Sequence, residues 1–394
     1  MERVIDCLVD LVRVTPAGEQ CFFGYYDNPA YDLADRRHLS NRVPFRDRLQ
    51  VPGDVAELAV VDLASGEFTP FATTKAWNFQ QGAMLQWLGD QPDTVFYNTA
   101  AAGGEYRSEV RNLATGAVRE LPMPLANVAR DGSRGVSINF DRVFDFRPGY
   151  GYCQKRDPWL GQKHSSEDGV WLVDVNQASA RQIVRMDRVW DAMKHAFGGA
   201  DAKICINHIT LNPAADRFVF LARNFPDGEV KRWLTTVFVS DLEGNLSAPI
   251  YDACMASHYW WSDDRTIVFY ADGPQGAGLY FVDVVTGVQT LIDREFFGFD
   301  GHCSTSPDGR WMLYDSYPRK GYRYLYLYDL ERQRGKTLAG LHEEPVVVTD
   351  IRSDLHPRWN RAGTAVSLDA TFEGFRGIYT VDLRRIMETM KTAD

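Results

Sequence analysis

The chain has little that would place it in a bilayer, on a nucleic acid or around a dinucleotide. Across its 394 residues no run of about 18 apolar residues occurs, which leaves no candidate for a spanning helix. The N-terminus, MERVIDCLVDLVRV, breaks its apolar residues with Glu2, Arg3, Asp6 and Asp10, so it lacks the continuous apolar stretch of a secretory signal. Six cysteines (Cys7, Cys21, Cys153, Cys205, Cys254, Cys303) stand far apart without a CxxC pair. That spacing argues against a zinc ribbon or a disulfide framework, and the thiols read as small core residues. The net charge of −10 is dispersed, and no basic stripe is present to track a phosphate backbone. Walker loops, dinucleotide fingerprints and a G-x-S-x-G elbow are also missing. These absences predict a cytoplasmic protein with no nucleic-acid or membrane partner and no nucleotide or organic cofactor.

What the chain does have is repetition. Seven times an apolar strand ends in Asp or Asn, then Leu or Val, then a turn: VVDLASGEF, VRNLATGAV, LVDVNQASA, VSDLEGNLS, FVDVVTGVQ, LYDLERQRG and TVDLRRI. The marker residues are Asp62, Asn112, Asp174, Asp241, Asp283, Asp329 and Asp382, spaced 42 to 67 residues apart. Such a period suits one four-stranded propeller blade with loops of varying length. A second signature precedes it in the later copies, a turn followed by an alternating or aromatic strand, as in NPAADRFVFLA, SDDRTIVFYA, SPDGRWMLYD and NRAGTAVSLD.

The prediction is an all-β, seven-bladed propeller of antiparallel blades in one domain, residues 1–394. Blades fall near 22–75, 76–122, 123–185, 200–250, 251–293, 294–340 and 347–385. The last copy runs into RRIMETMKTAD, a helical or frayed tail, so residues 8–16 are expected to supply its fourth strand and close the ring. DRVWDAMKHAFGG, ending in two glycines, predicts one short helix in an insertion.

Histidines carry the strongest functional signal. His208, His258, His302 and His356 each stand four residues ahead of the turn residue Asn212, Ser262, Ser306 or Asn360, so half of the eight histidines share one register. A device tying blade to blade would be expected in all seven copies, whereas this one is confined to four neighbours. Innermost strands converge on the axis, so these rings are expected to meet at one mouth of the channel.

Other polar residues should face the same mouth. GYYDNP brings Tyr25, Tyr26 and Asp27; NFQQG brings Gln80 and Gln81; DIRSDLHPRW surrounds His356 with Asp350, Arg352, Asp354 and Arg358. Asp354 and His356 are alternate residues of an extended segment and share a face. With His302 they form a nitrogen and oxygen set suited to a divalent ion such as manganese, zinc or calcium. The competing reading of Asp354 is a salt bridge to Arg352 or Arg358. Arg223, Lys231 and Arg232 flank a hairpin loop, where solvated charge is ordinary, although an arginine fork over the mouth would suit a carboxylate. Trp77, Trp260, Trp261 and Trp359 are either sugar-stacking surfaces or packing between blades.

Taken together, FGYYDNPAYD, AWNFQQGAMLQWL, RPGYGY, GHCSTSPDGRWMLYDSYP and DLHPRW, carried on seven TolB-like, WD40-like repeats, resemble the propeller polysaccharide lyases and in particular the oligogalacturonate lyases. The resemblance implies a carbon–oxygen lyase acting on a small uronate-containing oligosaccharide. It implies that His302 and His356 are metal ligands, that His258 is the second catalytic histidine, and that Arg232 or Arg223 is the arginine at the reacting carbon. The family's cluster before the last blade is similar to a glutamine and two closely spaced histidines. Here Asp354 stands two residues before His356, and VVVTDIRSDLH holds no glutamine.

The expected chemistry is β-elimination. His258 or His208, or less conventionally an arginine, acts as base, a divalent ion and an arginine neutralise the carboxylate, and Tyr26 protonates the leaving oxygen. Tyr25, Asp27, Gln81, Arg352, Arg358 and Trp260 contact substrate. The alternatives are a metal-dependent hydrolase or transferase at the same mouth, and a non-catalytic propeller that binds a glycan or protein, as a monomer or a homodimer.

Overall fold

A computed structural model describes residues 2–226 and 231–392. Seven antiparallel sheets follow one another along the chain. In each blade the strands neighbour in sequence order, the first lying nearest the axis. Blade four is Ile204–Leu211, Arg217–Asn224, Thr235–Asp241 and Tyr251–Cys254; blade five is Ala256–Trp261, Thr266–Gly273, Gly276–Asp283 and Gln289–Leu291. Blade six is built on Cys303–Thr305, Trp311–Asp315, Tyr322–Asp329 and Arg334–His342; blade seven has Arg358–Trp359, Ala365–Ala370 and Gly377–Asp382.

The ring closes through the N-terminus, as the sequence predicts. Val12 and Arg13 pair with Thr380 and Tyr379 and give blade seven its fourth strand. An additional pairing was not anticipated: Val4 and Ile5 add a fifth strand to blade six against Leu341 and Gly340. One short segment therefore staples two adjacent blades.

The recurring Asp or Asn has a common job. Its side-chain oxygen accepts hydrogen bonds from backbone N–H groups two or three residues on, at Ala64 and Ser65 for Asp62, Ala114 and Thr115 for Asn112, and Val285 and Thr286 for Asp283. These are Asx turns, which reverse the chain between third and fourth strands without leaving backbone donors bare.

Second strands are buried on both faces, and their period of two sorts the side chains into separate cores. In Arg217–Asn224, Phe218, Phe220 and Ala222 join the core shared with blade three, whereas Val219 and Leu221 join the core shared with blade five. In the next blade Ile267 and Phe269 face back to that core, and Val268 and Tyr270 face forward to blade six. Each large apolar side chain so buried contributes about 1.5–3 kcal/mol, which welds the ring blade by blade.

The predicted short helix is present as Met186–Met193, continued by a tighter turn, Lys194–Phe197, that stops at Gly198 with φ of 60°. The tail is helical over Arg384–Thr392. A further helix, Phe140–Phe146, lies in the blade-three insertion, capped by the Asn139 side chain. No helix among the described residues is long and apolar enough to cross a membrane.

Candidate active site

The histidine register is visible in the backbone. The N–H groups of Asn212, Ser262, Ser306 and Asn360 close their hairpin turns on the carbonyls of Arg217, Thr266, Trp311 and Ala365. The equivalent turns of blades one to three start at Asp32, Leu88 and Ala129. Four residues earlier these blades carry Asn28, Met84 and Leu125. The imidazoles thus belong to four successive blades, and the other three carry an amide and two apolar side chains at the aligned positions, the apolar pair packed in the core.

Local backbone geometry turns the rings inward. The innermost strands of blades four and five bulge between Asn207 and Thr210 and between Ala256 and Tyr259. His208 and His356 adopt φ of 45° and 43°, a left-handed conformation that is costly for a residue with a β-carbon and recurs at functional sites. At His302 a glycine serves instead. A β-carbon on Gly301 would stand 2.0 Å from the carbonyl oxygen of Asp315, so only glycine lets His302 lie against the second strand.

The rings form a continuous row. Centroids are 6.3 Å apart for His208 and His258, 4.1 Å for His258 and His302, and 4.3 Å for His302 and His356. Tyr25 fills the concave side, stacked on His208 at 5.2 Å and edge-on to His356 at 4.8 Å. All four histidines are buried, from 1% exposed at His302 to 9% at His208. The free space beside His208 and His258, bounded by Gln81, Tyr150 and Ser257, is a cavity of about 20 Å³ that His302 and His356 do not line. That is room for roughly one water molecule.

Hydrogen bonds determine which nitrogen each ring presents. Nδ1 of His302 donates to Asp315 at 2.9 Å, and Nδ1 of His356 donates to the carbonyl of Gly24 at 2.9 Å. Both Nε2 atoms are buried and have no partner among the described residues. Ligand atoms of His302, His356 and Asp354, one from each, lie within 4.8 Å of one another. Two oriented lone pairs and one anionic oxygen, backed by an aspartate and a backbone carbonyl, make a donor set that fits a divalent transition ion.

Asp354 also has other partners. Arg323 approaches its Oδ1 at 2.6 Å and Arg352 its Oδ2 at 2.8 Å. Burial alone would raise this carboxyl, but the two guanidinium groups hold it well below the usual range. The ion pair with Arg352 weighed at the sequence level is therefore real, and an ion at this place would share the carboxylate with two arginines.

His258 is held differently. Its Nδ1 donates to Asp300 at 3.1 Å, while Ser257 fixes the other oxygen of that carboxylate at 2.7 Å. Its Nε2 faces the Tyr317 hydroxyl at 3.4 Å. Burial and then the neighbouring His302 lower the His258 pKa, only partly offset by Asp300, so the ring is a neutral base at neutral pH. His208 lies well below the ordinary value through burial and then Arg223.

Several expected contacts fall elsewhere. Arg223 is buried, and its Nη2 donates to the carbonyl of Ala256, so it positions the strand that bears His258. Arg232 is exposed and does not line the cavity; its backbone carbonyl accepts from Asn224. Arg358 points inward to Ser367, Gly24 and Asp369, and Arg352 to Asp354 and Tyr150. Neither guanidinium is free for a substrate. The Tyr26 hydroxyl donates to the Tyr259 carbonyl at 2.7 Å. Asp27 and Gln81 do line the small cavity, whereas Gln80 is tied to the backbone carbonyls of Asp350 and Arg352. Trp260 lies deeper in the channel, its indole N–H on Thr305 across the blade boundary. The residues Asp227 to Val230, within the proposed hairpin loop, lie outside the described residues.

Sequence reading missed Asp315, Asp300, Tyr317 and Arg147. Asp315 and Tyr317 sit in LYDSYP, and Arg147 opens RPGYGY. Arg147 covers the Tyr150 ring at 4.7 Å and remains about a quarter exposed, its nearest carboxylate oxygen being Asp350 at 4.0 Å. Its guanidinium is thus partly free and stacks on Tyr150, which lines the small cavity, although Arg147 itself does not.

No protein-family model matches the chain, and no characterised protein matches it in sequence. Among solved structures it is similar to an oligogalacturonate lyase in complex with manganese, with a TM-score of 0.68 and 14% identity over 97% of this chain and 95% of that one. An oligogalacturonate lyase from Vibrio parahaemolyticus gives 0.66 and 15% over 97% and 96%. The propeller domain of the Trilobed protease from Pyrococcus furiosus, described as having an open velcro topology, gives 0.52 and 11% over 91% and 93%. At such identities the likeness speaks to architecture: the chain is a seven-bladed β-propeller with the fold of the oligogalacturonate lyases.

Proposed function

We propose that the histidine-lined mouth catalyses β-elimination on a short uronate-containing oligosaccharide. The observation that carries this reading is the pair of buried, unpartnered Nε2 atoms on His302 and His356, converging with Asp354 one blade away from an oriented, neutral His258. The two similar oligogalacturonate lyase structures, one of them a manganese complex, support it as fold-level analogy.

His302, His356 and Asp354 would hold a divalent ion, which supplies positive charge beside the uronate carboxylate when bound. The protein's own groups account for the proton movements. His258 Nε2 takes the proton from the carbon next to the carboxylate, and the resulting imidazolium is stabilised by Asp300. The electron pair left on carbon forms the new double bond as the neighbouring carbon–oxygen bond breaks. The leaving oxygen takes a proton from Tyr317, whose hydroxyl stands beside the same ring. Arg147 engages the carboxylate from the open side, in the role expected of Arg232 or Arg223.

The decisive experiment couples elemental analysis with turnover. Protein purified without added metal or a metal-binding tag should carry or take up one equivalent of manganese or zinc and should release unsaturated uronate, detected by its ultraviolet absorbance. The His302→Ala/His356→Ala variant should do neither. Metal uptake with hydrolysis instead of an absorbance rise would reassign the mouth to a hydrolase or transferase.

One observation favours a second reading. The cavity beside the rings is about 20 Å³ and Asp354 is doubly ion-paired, as in a hub that ties blades four to seven together. A propeller of that kind binds a glycan or protein without turnover. It predicts no metal uptake and full ligand binding in the double variant.

A further inference from the structure

Below the histidines the channel opens into a second, larger chamber of about 400 Å³. Its wall includes Asn212, Ser262, Ser306 and Asn360, the residues four positions beyond the register histidines. At about 3.3 Å per residue the chamber floor lies roughly 13 Å down the axis from the rings. Tyr26, Asp27, Thr210 and Tyr259 line both spaces and form the partition between them.

Three features of this wall point to a ligand. First, it holds buried polar atoms with no partner among the described residues: Asn28 Oδ1, Ser304 Oγ, Ser262 Oγ and Asp27 Oδ1, of which Asn28 is 4% and Ser304 2% exposed. Buried polar groups left bare are costly, and several gathered around one cavity indicate an occupant that pairs with them. Second, Trp260, Trp261 and Trp359 stand in the wall with their indole N–H groups already bound, to Thr305, Thr210 and Ser304. They offer carbon surface to a guest. Third, Arg361 is half-buried with Nη2 unpartnered, and Arg130 lies at the same rim. Hydroxyl and amide groups from different blades, aromatic walls and a free guanidinium edge make a combination suited to a sugar acid, and the volume falls in the range of small-ligand pockets.

We propose that the lower chamber is a second ligand site, separate from the histidine mouth, which takes a monosaccharide-sized polyol bearing one carboxylate. The hydroxyls pair with Asn28, Ser262 and Ser304, and the carboxylate lies between Arg361 and Arg130. The inference does not rest on the elimination chemistry, because the ligand class is read from the chamber wall alone.

Calorimetry and saturation-transfer NMR on the full chain test it, with free glucuronate as probe and glucose as its neutral counterpart. Glucuronate is expected to bind with a Kd of about 1 mM and glucose roughly tenfold more weakly. Arg361→Gln and the exposed-rim variant Arg130→Gln should each weaken glucuronate by about tenfold, with thermal midpoints confirming that both fold. The His302→Ala/His356→Ala variant should bind it as the wild type does. Absence of glucuronate binding at about 20 mM overturns the proposal. So does binding that disappears with the histidines but survives both arginine substitutions. Equal affinity for glucose and glucuronate overturns the assignment of the carboxylate.

Discussion

Asp315 grips His302 twice, accepting from its backbone N–H at 2.7 Å and from its ring Nδ1 at 2.9 Å. The second oxygen of the same carboxylate accepts from the backbone N–H of His356 at 3.1 Å. One buried aspartate on blade six therefore positions both candidate ligands, although His356 belongs to blade seven. Outer partners of this kind typically contribute 10- to 100-fold to metal affinity. Asp315→Asn is expected to weaken manganese binding by about that factor, measured by equilibrium dialysis. Unchanged affinity in a folded variant would remove Asp315 from the site.

His258 differs from its neighbours in being paired with a carboxylate that is itself fixed by a serine. If it is the base, His258→Ala should lower the elimination rate by about 10²- to 10⁴-fold while leaving metal content intact. Asp300→Asn should give a smaller loss and a displaced pH profile, because the ring loses the partner that stabilises its charged form. Full turnover in His258→Ala would pass the role to His208.

Asp27 is half-buried with its Oδ1 enclosed, and that desolvation pushes its carboxyl up to about 7 from an ordinary 3.8. The folded chain therefore keeps a proton that the unfolded chain gives up as pH rises through that window, and stability falls with rising pH. The slope is about 1.4 kcal/mol per pH unit. Asp27→Asn removes it. Urea unfolding at low and high ends of the window should show the variant gaining on the wild type by about 4 kcal/mol between pH 4 and pH 8. A constant difference would show that Asp27 titrates normally.

Closure by the N-terminus is testable by truncation. Val4, Ile5, Val12 and Arg13 are paired in two blades, and Leu8 and Val14 donate to Leu338 and Ile378 between and beyond them. At about 1 kcal/mol per hydrogen bond, deletion through Arg13 should lower the thermal midpoint by about 5 °C or more. An unaltered midpoint would mean that the ring stands without its clasp.

The blade count and the clasp were legible because both rest on local chemistry. Seven Asx-turn residues mark seven third strands, and a last repeat one strand short needs a partner from elsewhere. The histidine arc was legible for the same reason, since a fixed offset from a turn fixes a position along the innermost strand. Asp315 was one step away from being read. Cys303 pairs with Tyr314 across the SPDG hairpin, so continuing the register by one residue places His302 opposite Asp315. The arginines were harder, because sequence shows a guanidinium without its partner. Arg358 and Arg352 lie beside the right histidine, yet Asp369 and Asp354 engage them internally. Arg147 comes from the blade-three insertion, whose path across the mouth no repeat pattern encodes.

The partition that Tyr26 forms with Asp27, Thr210 and Tyr259, with Tyr25 above it, changes what kind of traffic the propeller supports. With one ring stacked among the histidines and the next hydroxyl anchored to Tyr259 on the opposite side, the axis is a corked bottle with a neck at each end. A polymer cannot thread it. Whatever enters the histidine mouth must back out by the same door, which favours short chains and chain ends over the interior of a long glycan and uncouples the contents of the two chambers.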